Sequence, residues 1–249
     1  MIRVSNLKKV FYDKKRGKIE AVNGVDFHCR RGQIFGLLGP NGAGKTTTLR
    51  ILATMMKPTE GEVLVNGYHV VKEAHKVRQS TGFLSGETGL YDRFTPRETI
   101  LFFGRINGLS EKLISTRMGD IFKILDMGSF KDVRVDKLST GMKQKLSIAR
   151  AIIHDPPVLI FDEPTVGLDV ITARVVVNYI KEFRKQGKCI IFSTHQMQEA
   201  EKLCDEIAII HKGKILSEGT LADLQAKFQE VDLEDIFFKL VETKAEENR

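Results

Sequence analysis

The chain has 249 residues, 42% hydrophobic and 29% charged, with a formal net charge of +7 from 39 basic and 32 acidic side chains. That balance describes a globular protein with one large domain or a core with subdomains. It excludes a membrane-embedded class, because no apolar run approaches the roughly 18 residues that span a bilayer. Met1 to Val10 carries charge without an apolar segment, so no secretory signal and a cytosolic location are expected. Cys29, Cys189 and Cys204 are odd in number, lack metal-ligand spacing and read as buried or inert thiols. The positive charge suits an anionic ligand or an acidic membrane surface. Nucleic acid is not expected as a partner. No basic stripe is interleaved with aromatics, Trp is absent, and Lys14-Lys15-Arg16-Gly17-Lys18 reads as a solvated loop.

In chain order, the first thirty residues alternate in strand fashion through Ile2, Val4, Val22, Val25 and Phe27. Gln33 to Leu38 is an apolar run of strand length. It leads into Gly39-Pro40-Asn41-Gly42-Ala43-Gly44-Lys45-Thr46-Thr47, and Leu49, Leu52 and Met56 then recur at helical spacing until Pro58. Strand, glycine loop and helix form the context of a phosphate-binding loop. Glycines let polyphosphate oxygens approach backbone N–H groups at a helix N-terminus. Lys45 would reach the β- and γ-phosphates, and Thr46 would offer its hydroxyl to Mg²⁺. Gly61 to Val71, around Asn66-Gly67, reads as a hairpin that completes a small antiparallel sheet beside the loop. From Pro96 to Phe130 the spacing is helical.

Leu138 to Gln144 precedes a helical run through Leu146, Ala149, Ile152 and Ile153. Ser139 would cap it, and its N-terminus near Gly141 would bind an anion. From Pro157 onward strands and helices alternate, which predicts a parallel sheet covered by helices. Val158 to Phe161 ends in Asp162 and Glu163. Carboxylates at that edge suit a ligand: Asp162 to hold Mg²⁺ directly or through water, Glu163 to deprotonate an attacking water. Ile207 to Leu216 reads as a closing hairpin. After Asp232, the residues Leu233, Ile236, Phe237 and Leu240 mark an amphipathic helix that folds back on its own domain.

With these motifs in order, the chain resembles the ATP-binding subunit of ABC transporters over nearly its whole length. Lys45 and Thr46 match the Walker A loop, Asp162 and Glu163 close the Walker B strand, and Leu138 to Gln144 resembles the signature motif. Thr140 and Met142-Lys143 depart from that motif's common form. Gly167-Leu168-Asp169 resembles the D-loop, His195 the switch histidine, and Phe11, with Tyr12 as neighbour, the aromatic that stacks on adenine. The resemblance implies an α/β P-loop NTPase (RecA-like) core with a parallel sheet, an antiparallel β subdomain and an inserted α-helical subdomain. One domain would cover 1–249: an antiparallel β subdomain plus Walker A over 1–75, the helical subdomain over 86–150, the core with Walker B and switch histidine over 151–220, and a C-terminal helix and tail over 221–249.

The same resemblance implies an ATPase with ATP and Mg²⁺, in which Lys45, Glu163 and His195 catalyse and Thr46 and Asp162 hold the metal. Nucleotide contacts would come from Phe11, Gly39 to Thr47, Ser139, Gly141 and Asp169. A second copy would complete an ATP sandwich, and an integral membrane permease would hold the subunit at the cytoplasmic face of the membrane. Gly86 falls where the family carries a glutamine, with Glu87 or a water as substitute. Leu84 to Thr95 resembles the segment of sodium-exporting members. Export of a drug, lipid or peptide is the alternative, as are a soluble ABC-type ATPase and a non-hydrolysing regulatory module.

Overall fold

Alternation of apolar and polar residues produces two long N-terminal strands, β1 (Ile2–Asp13) and β2 (Gly17–Cys29), which turn Ile2, Val4, Val22, Val25 and Phe27 to one buried face. They pair with β4 (Glu60–Val65) and β5 (Tyr68–His69) in a four-stranded antiparallel sheet of order β2-β1-β4-β5. Asn66 and Gly67 join β4 to β5 with φ values of 52° and 83°, the paired positive φ of a type I′ hairpin turn. The computed structural model describes residues 1–15, 17–85 and 89–246.

The second sheet contains β3 (Ile34–Leu38), β7 (Val158–Asp162) and β8 (Cys189–Thr194), buried at every position. Continuous burial is the mark of strands covered on both faces. With β6 (Thr81–Ser85), β9 (Glu206–His211) and β10 (Lys214–Gly219) they form six strands in the order β10-β9-β3-β8-β7-β6. All pairings are parallel except β9 with β10. The two sheets share one core, in which the rings of Phe27 and Phe35 stack with centroids 5.0 Å apart. Cys29 and Cys189, 160 residues apart in sequence, meet there with their sulfurs 3.2 Å apart. The hydrogen bond with the Cys189 thiol, and then burial, push the Cys29 thiol far above its usual range.

Side-chain caps set most helix starts. Ser110 caps α4 (Glu111–Ile124), Ser139 caps α5 (Thr140–Ile152), and Asp169 caps α6 (Val170–Lys185). Thr95 and Glu98 form a reciprocal capping box on α3 (Pro96–Ile106), with proline at its first position. The remaining helices are α1 (Lys45–Leu52), α2 (Ala74–Gln79), α7 (Met197–Leu203), α8 (Leu221–Phe228) and α9 (Leu233–Glu246). Helix α8 adds to the C-terminal helix expected from the sequence, and its Thr220–Asp223 capping box is the signal for it. Leu233, Ile236, Phe237 and Leu240 of α9 pack on Ile207, Ile209 and Leu224, so this helix folds back on its own domain as expected.

Gly82 fixes how closely β6 approaches the end of α5. A Cβ there would lie 2.3 Å from the Ala151 carbonyl oxygen and 2.8 Å from Leu159 Cδ2. Neither can withdraw without moving the backbone or a fully buried side chain. Gly82→Ala is expected to destabilise the fold by about 1–3 kcal/mol, as overpacked cores do. A thermal melt checks this; an unchanged Tm would contradict the close approach.

Candidate nucleotide site

The glycine loop is braced from two sides. A Cβ on Gly39 would lie 2.1 Å from the Ile210 carbonyl oxygen, and one on Gly44 would lie 2.4 Å from that of Ala21. Gly44 also has φ 106°, a conformation that side chains other than glycine's rarely adopt. The loop curls around a cavity of about 220 Å³ lined by Ala21, residues 40–47 and Glu163. Pro40, Asn41, Gly42, Ala43, Lys45, Thr46 and Thr47 thus share one wall, as their sequence order predicts.

Lys45 is 4% exposed, and three oxygens compensate its ammonium. It donates to the carbonyls of Gly39 at 2.6 Å and Pro40 at 3.2 Å, and it pairs with Glu163 Oε1 at 3.1 Å. Glu163 Oε2 meets His195 Nδ1 at 3.2 Å. Glu163 has φ 49°, uncommon for a residue with a side chain, and its N–H donates to the Ser193 carbonyl at 3.2 Å and to Ser193 Oγ at 3.1 Å. Asp162 is buried. Its Oδ1 accepts from Thr46 Oγ1 at 3.2 Å and from Ser193 Oγ at 2.7 Å. Lys45, Thr46, Asp162, Glu163 and His195 therefore form one connected polar network across the C-terminal edge of β3, β7 and β8.

The donor set fits a hard divalent cation. One hydroxyl and one buried carboxylate are what Mg²⁺ takes from protein when phosphate oxygens and water supply the rest. Among the described residues there is no cluster of three or more His, Cys, Asp or Glu suited to a protein-caged metal. The loop fits a polyphosphate: residues 40–47 line the cavity, and nothing lies within 4 Å of a Cβ built on Gly42, so no other part of the described chain crowds the loop on that side.

Other candidates lie apart from this cavity. Ser139 caps α5 by accepting from Met142 N–H at 3.3 Å, and neither it nor Gly141 lines the phosphate cavity. A Cβ on Gly141 would lie 3.0 Å from Thr172 Cγ2, which ties this helix end to the start of α6. There Asp169 accepts from the N–H groups of Ile171 and Thr172, each at 3.0 Å, and those bonds with the Thr172 hydroxyl hold its carboxyl below the usual range. Phe11 sits near the far end of β1 with Lys9 Nζ 5.1 Å from its ring centroid, and Tyr12 is exposed. Gly86 and Glu87 lie outside the described residues.

Sequence reasoning missed two contributors to the site. Ala21, on β2, adds its carbonyl and lines the cavity. Ser193 is fully buried and bonds both acids; a lone serine in the apolar run of β8 was the available signal. Gln144, on α5, donates to the Pro164 carbonyl just after those acids. A second cavity, of about 530 Å³, is lined by Arg78, Phe83, Tyr91, Phe103, Arg150 and His154 among others. Arg150 there donates to the Gly89 carbonyl at 3.3 Å and lies over Phe103, and burial lowers its pKa.

Comparison with known proteins agrees with this geometry. The ABC transporter family profile matches residues 22–166. The ABC transporter ATP-binding protein NatA of Bacillus subtilis is 41% identical, over 97% of this chain and 98% of its own length. The Nod factor export ATP-binding protein I of Paraburkholderia xenovorans is 38% identical, over 90% of this chain and 74% of its own. A dimeric ATP-binding cassette solved with ADP and phosphate in a post-hydrolysis state superposes with a TM-score of 0.79 at 26% identity, over 88% of this chain and 98% of that one. With its P-loop core, flanking antiparallel sheet and helical insertion, the chain belongs to the ABC transporter family as an ATP-binding, ATP-hydrolysing subunit.

Proposed function

We propose that two copies of this chain clamp two ATP molecules between the Lys45 loop of one and the Ser139 helix end of the other. The clamping would power export by an integral membrane permease, with the chain held at the cytoplasmic face of the membrane. The observation that carries this reading is the network in which Glu163 lies 3.1 Å from Lys45 Nζ and 3.2 Å from His195 Nδ1 at the rim of the phosphate cavity.

Each residue then has a chemical task. Backbone N–H groups of residues 42–46 and the N-terminus of α1 receive phosphate oxygens. Lys45 exchanges its carbonyl and carboxylate partners for the β- and γ-phosphates. Thr46 and Asp162 are the residues that would hold Mg²⁺, which supplies charge neutralisation on those phosphates. Glu163, released from Lys45, takes a proton from water as the water oxygen bonds to the γ-phosphorus and the bond to the β-phosphate oxygen breaks. His195 holds the Glu163 carboxylate and then the γ-phosphate. Phe11 stacks on adenine, and Asp169 contacts the nucleotide across the dimer.

Self-association has support in the surface. Ser139 and Gly141 do not line their own chain's phosphate cavity, so this anion-binding helix end is available to another copy. Val166, Val170 and Ile171 flank Asp169 at 48%, 85% and 78% exposure, an apolar patch suited to a partner. The aromatic and basic groove around Phe103 and Arg150 suits a segment of the permease. No helix among the described residues is long and apolar enough to cross a membrane, so a separate subunit would supply the path.

For the cargo, the segment Leu84 to Thr95 supports sodium. The relative named for Nod factor export supports an organic cargo such as a drug, lipid or peptide, and of the two this alternative has the broader support. Vesicles holding the chain with its co-purified membrane subunit decide between them. ATP-dependent sodium flux would favour the first, and ATP-dependent movement of an organic substrate without sodium flux the second.

Glu163→Gln is expected to slow phosphate release at least about 100-fold, the low end for loss of a general base, while ATP still binds. Ordinary turnover in that variant would remove Glu163 from the role. Lys45→Ala is expected to weaken ATP binding tenfold or more, since a charge-assisted hydrogen bond contributes about 1.5–3 kcal/mol. Calorimetry giving an unchanged Kd would contradict the phosphate-loop reading. In the Glu163→Gln background, light scattering with ATP should detect a dimer, and adding Ser139→Glu should abolish it by setting like charge against phosphate. A dimer that survives that change would sink the role of Ser139.

A further inference from the structure

We propose that Ser193 is a positioning residue that sets the metal-holding carboxylate and the backbone of the general base together; the proposal rests on the nucleotide-site reading above. Asp162 and Ser193 are register partners on the parallel strands β7 and β8, so their side chains leave the sheet on the same side. Ser193 is fully buried, at the end of a strand where an apolar β-branched residue would pack at least as well. Its hydroxyl is used twice. It donates to Asp162 Oδ1 at 2.7 Å and accepts from the Glu163 N–H at 3.1 Å.

The two bonds act on two consecutive acids. At Asp162, both hydroxyls fall on Oδ1: Ser193 at 2.7 Å and Thr46 at 3.2 Å. That pins the rotation of the carboxylate and directs Oδ2 away from both. The donors differ in what carries them. Thr46 belongs to the helix that begins at the phosphate loop, whereas Ser193 belongs to a strand buried at every position. Ser193 is therefore the donor that holds the carboxylate in place independently of loop and nucleotide. At Glu163, the residue sits at φ 49°, and Ser193 bonds its N–H through both the hydroxyl and the carbonyl. A backbone in that sparsely populated region persists where its surroundings over-determine it. One buried hydroxyl thus couples the geometry of the metal side of the site to that of the water side.

The consequence is specific to the metal. Partners that orient a metal-holding group typically change metal affinity about 10–100-fold when removed. The test measures binding of a fluorescent, non-hydrolysable ATP analogue to the full chain while Mg²⁺ is titrated, and again in EDTA. For Ser193→Ala the half-saturating Mg²⁺ concentration should rise about tenfold or more, with analogue affinity in EDTA equal to wild type. Ser193→Cys keeps the volume with a much weaker donor, so it should shift in the same direction and serves if the alanine variant does not fold. An unchanged Mg²⁺ requirement in the folded variant, or an equal loss of affinity with and without Mg²⁺, would overturn the proposal. Wild-type chain that binds no analogue under either condition would overturn the nucleotide-site reading itself, an outcome distinct from a variant that matches a binding wild type.

Discussion

The whole site is organised by the need to compensate one buried ammonium. Lys45 is nearly inaccessible, and a charge in that position is costly unless oxygens surround it. The loop's carbonyls at Gly39 and Pro40 and the carboxylate of Glu163 meet that need. The six-stranded sheet brings these groups together. Strand β3 delivers the loop, β7 delivers the acids and β8 delivers Ser193 and His195, all at one carboxyl edge. Parallel strands whose ends point the same way gather such groups without long loops, which is why ligands bind at this edge of α/β sheets.

Much of this was legible in the chain. The glycine loop announces itself because close backbone approach leaves few choices of residue: at Gly39 and Gly44 a Cβ would collide with carbonyl oxygens from β9 and β2. The acids at 162 and 163 stand out because an apolar strand has no packing use for them. The antiparallel sheet was visible in alternation and in Asn66-Gly67, and α9 in the spacing of Leu233, Ile236, Phe237 and Leu240. What stayed hidden depends on pairing between distant segments. Periodicity does not say that β6 closes one edge beside β7, or that β8 lies between β3 and β7. Nor does it bring Cys29 against Cys189, or distinguish Ser193 from any serine near a strand end. Those facts exist only once the register Asp162↔Ser193 is formed.

The surfaces divide differently from the core. The α5 helix is capped by Ser139 and carries Arg150 near its other end, so one element reaches both the Ser139 tip and the aromatic groove. Gln144, in its second turn, bonds the carbonyl of Pro164 immediately beyond the acids. That bond ties α5 to the segment that directly follows the two acids.

The phosphate loop gains its rigidity from an element that sequence reading treats as a plain hairpin. The turn between β9 and β10 carries Lys212 and Gly213 at positive φ. Gly213 N–H donates to the Ala43 carbonyl at 2.9 Å, while its own carbonyl accepts from Asn23 N–H at 2.8 Å. The turn thus bridges the glycine loop to β2, whose Ala21 already presses on Gly44. A loop rich in glycine loses much conformational entropy on ordering, and isolated it would not hold its N–H groups toward one point. Fastened to two sheets at once, it has its donors set before any phosphate arrives. The antiparallel sheet is in this sense part of the nucleotide site, although most of its residues never approach the cavity.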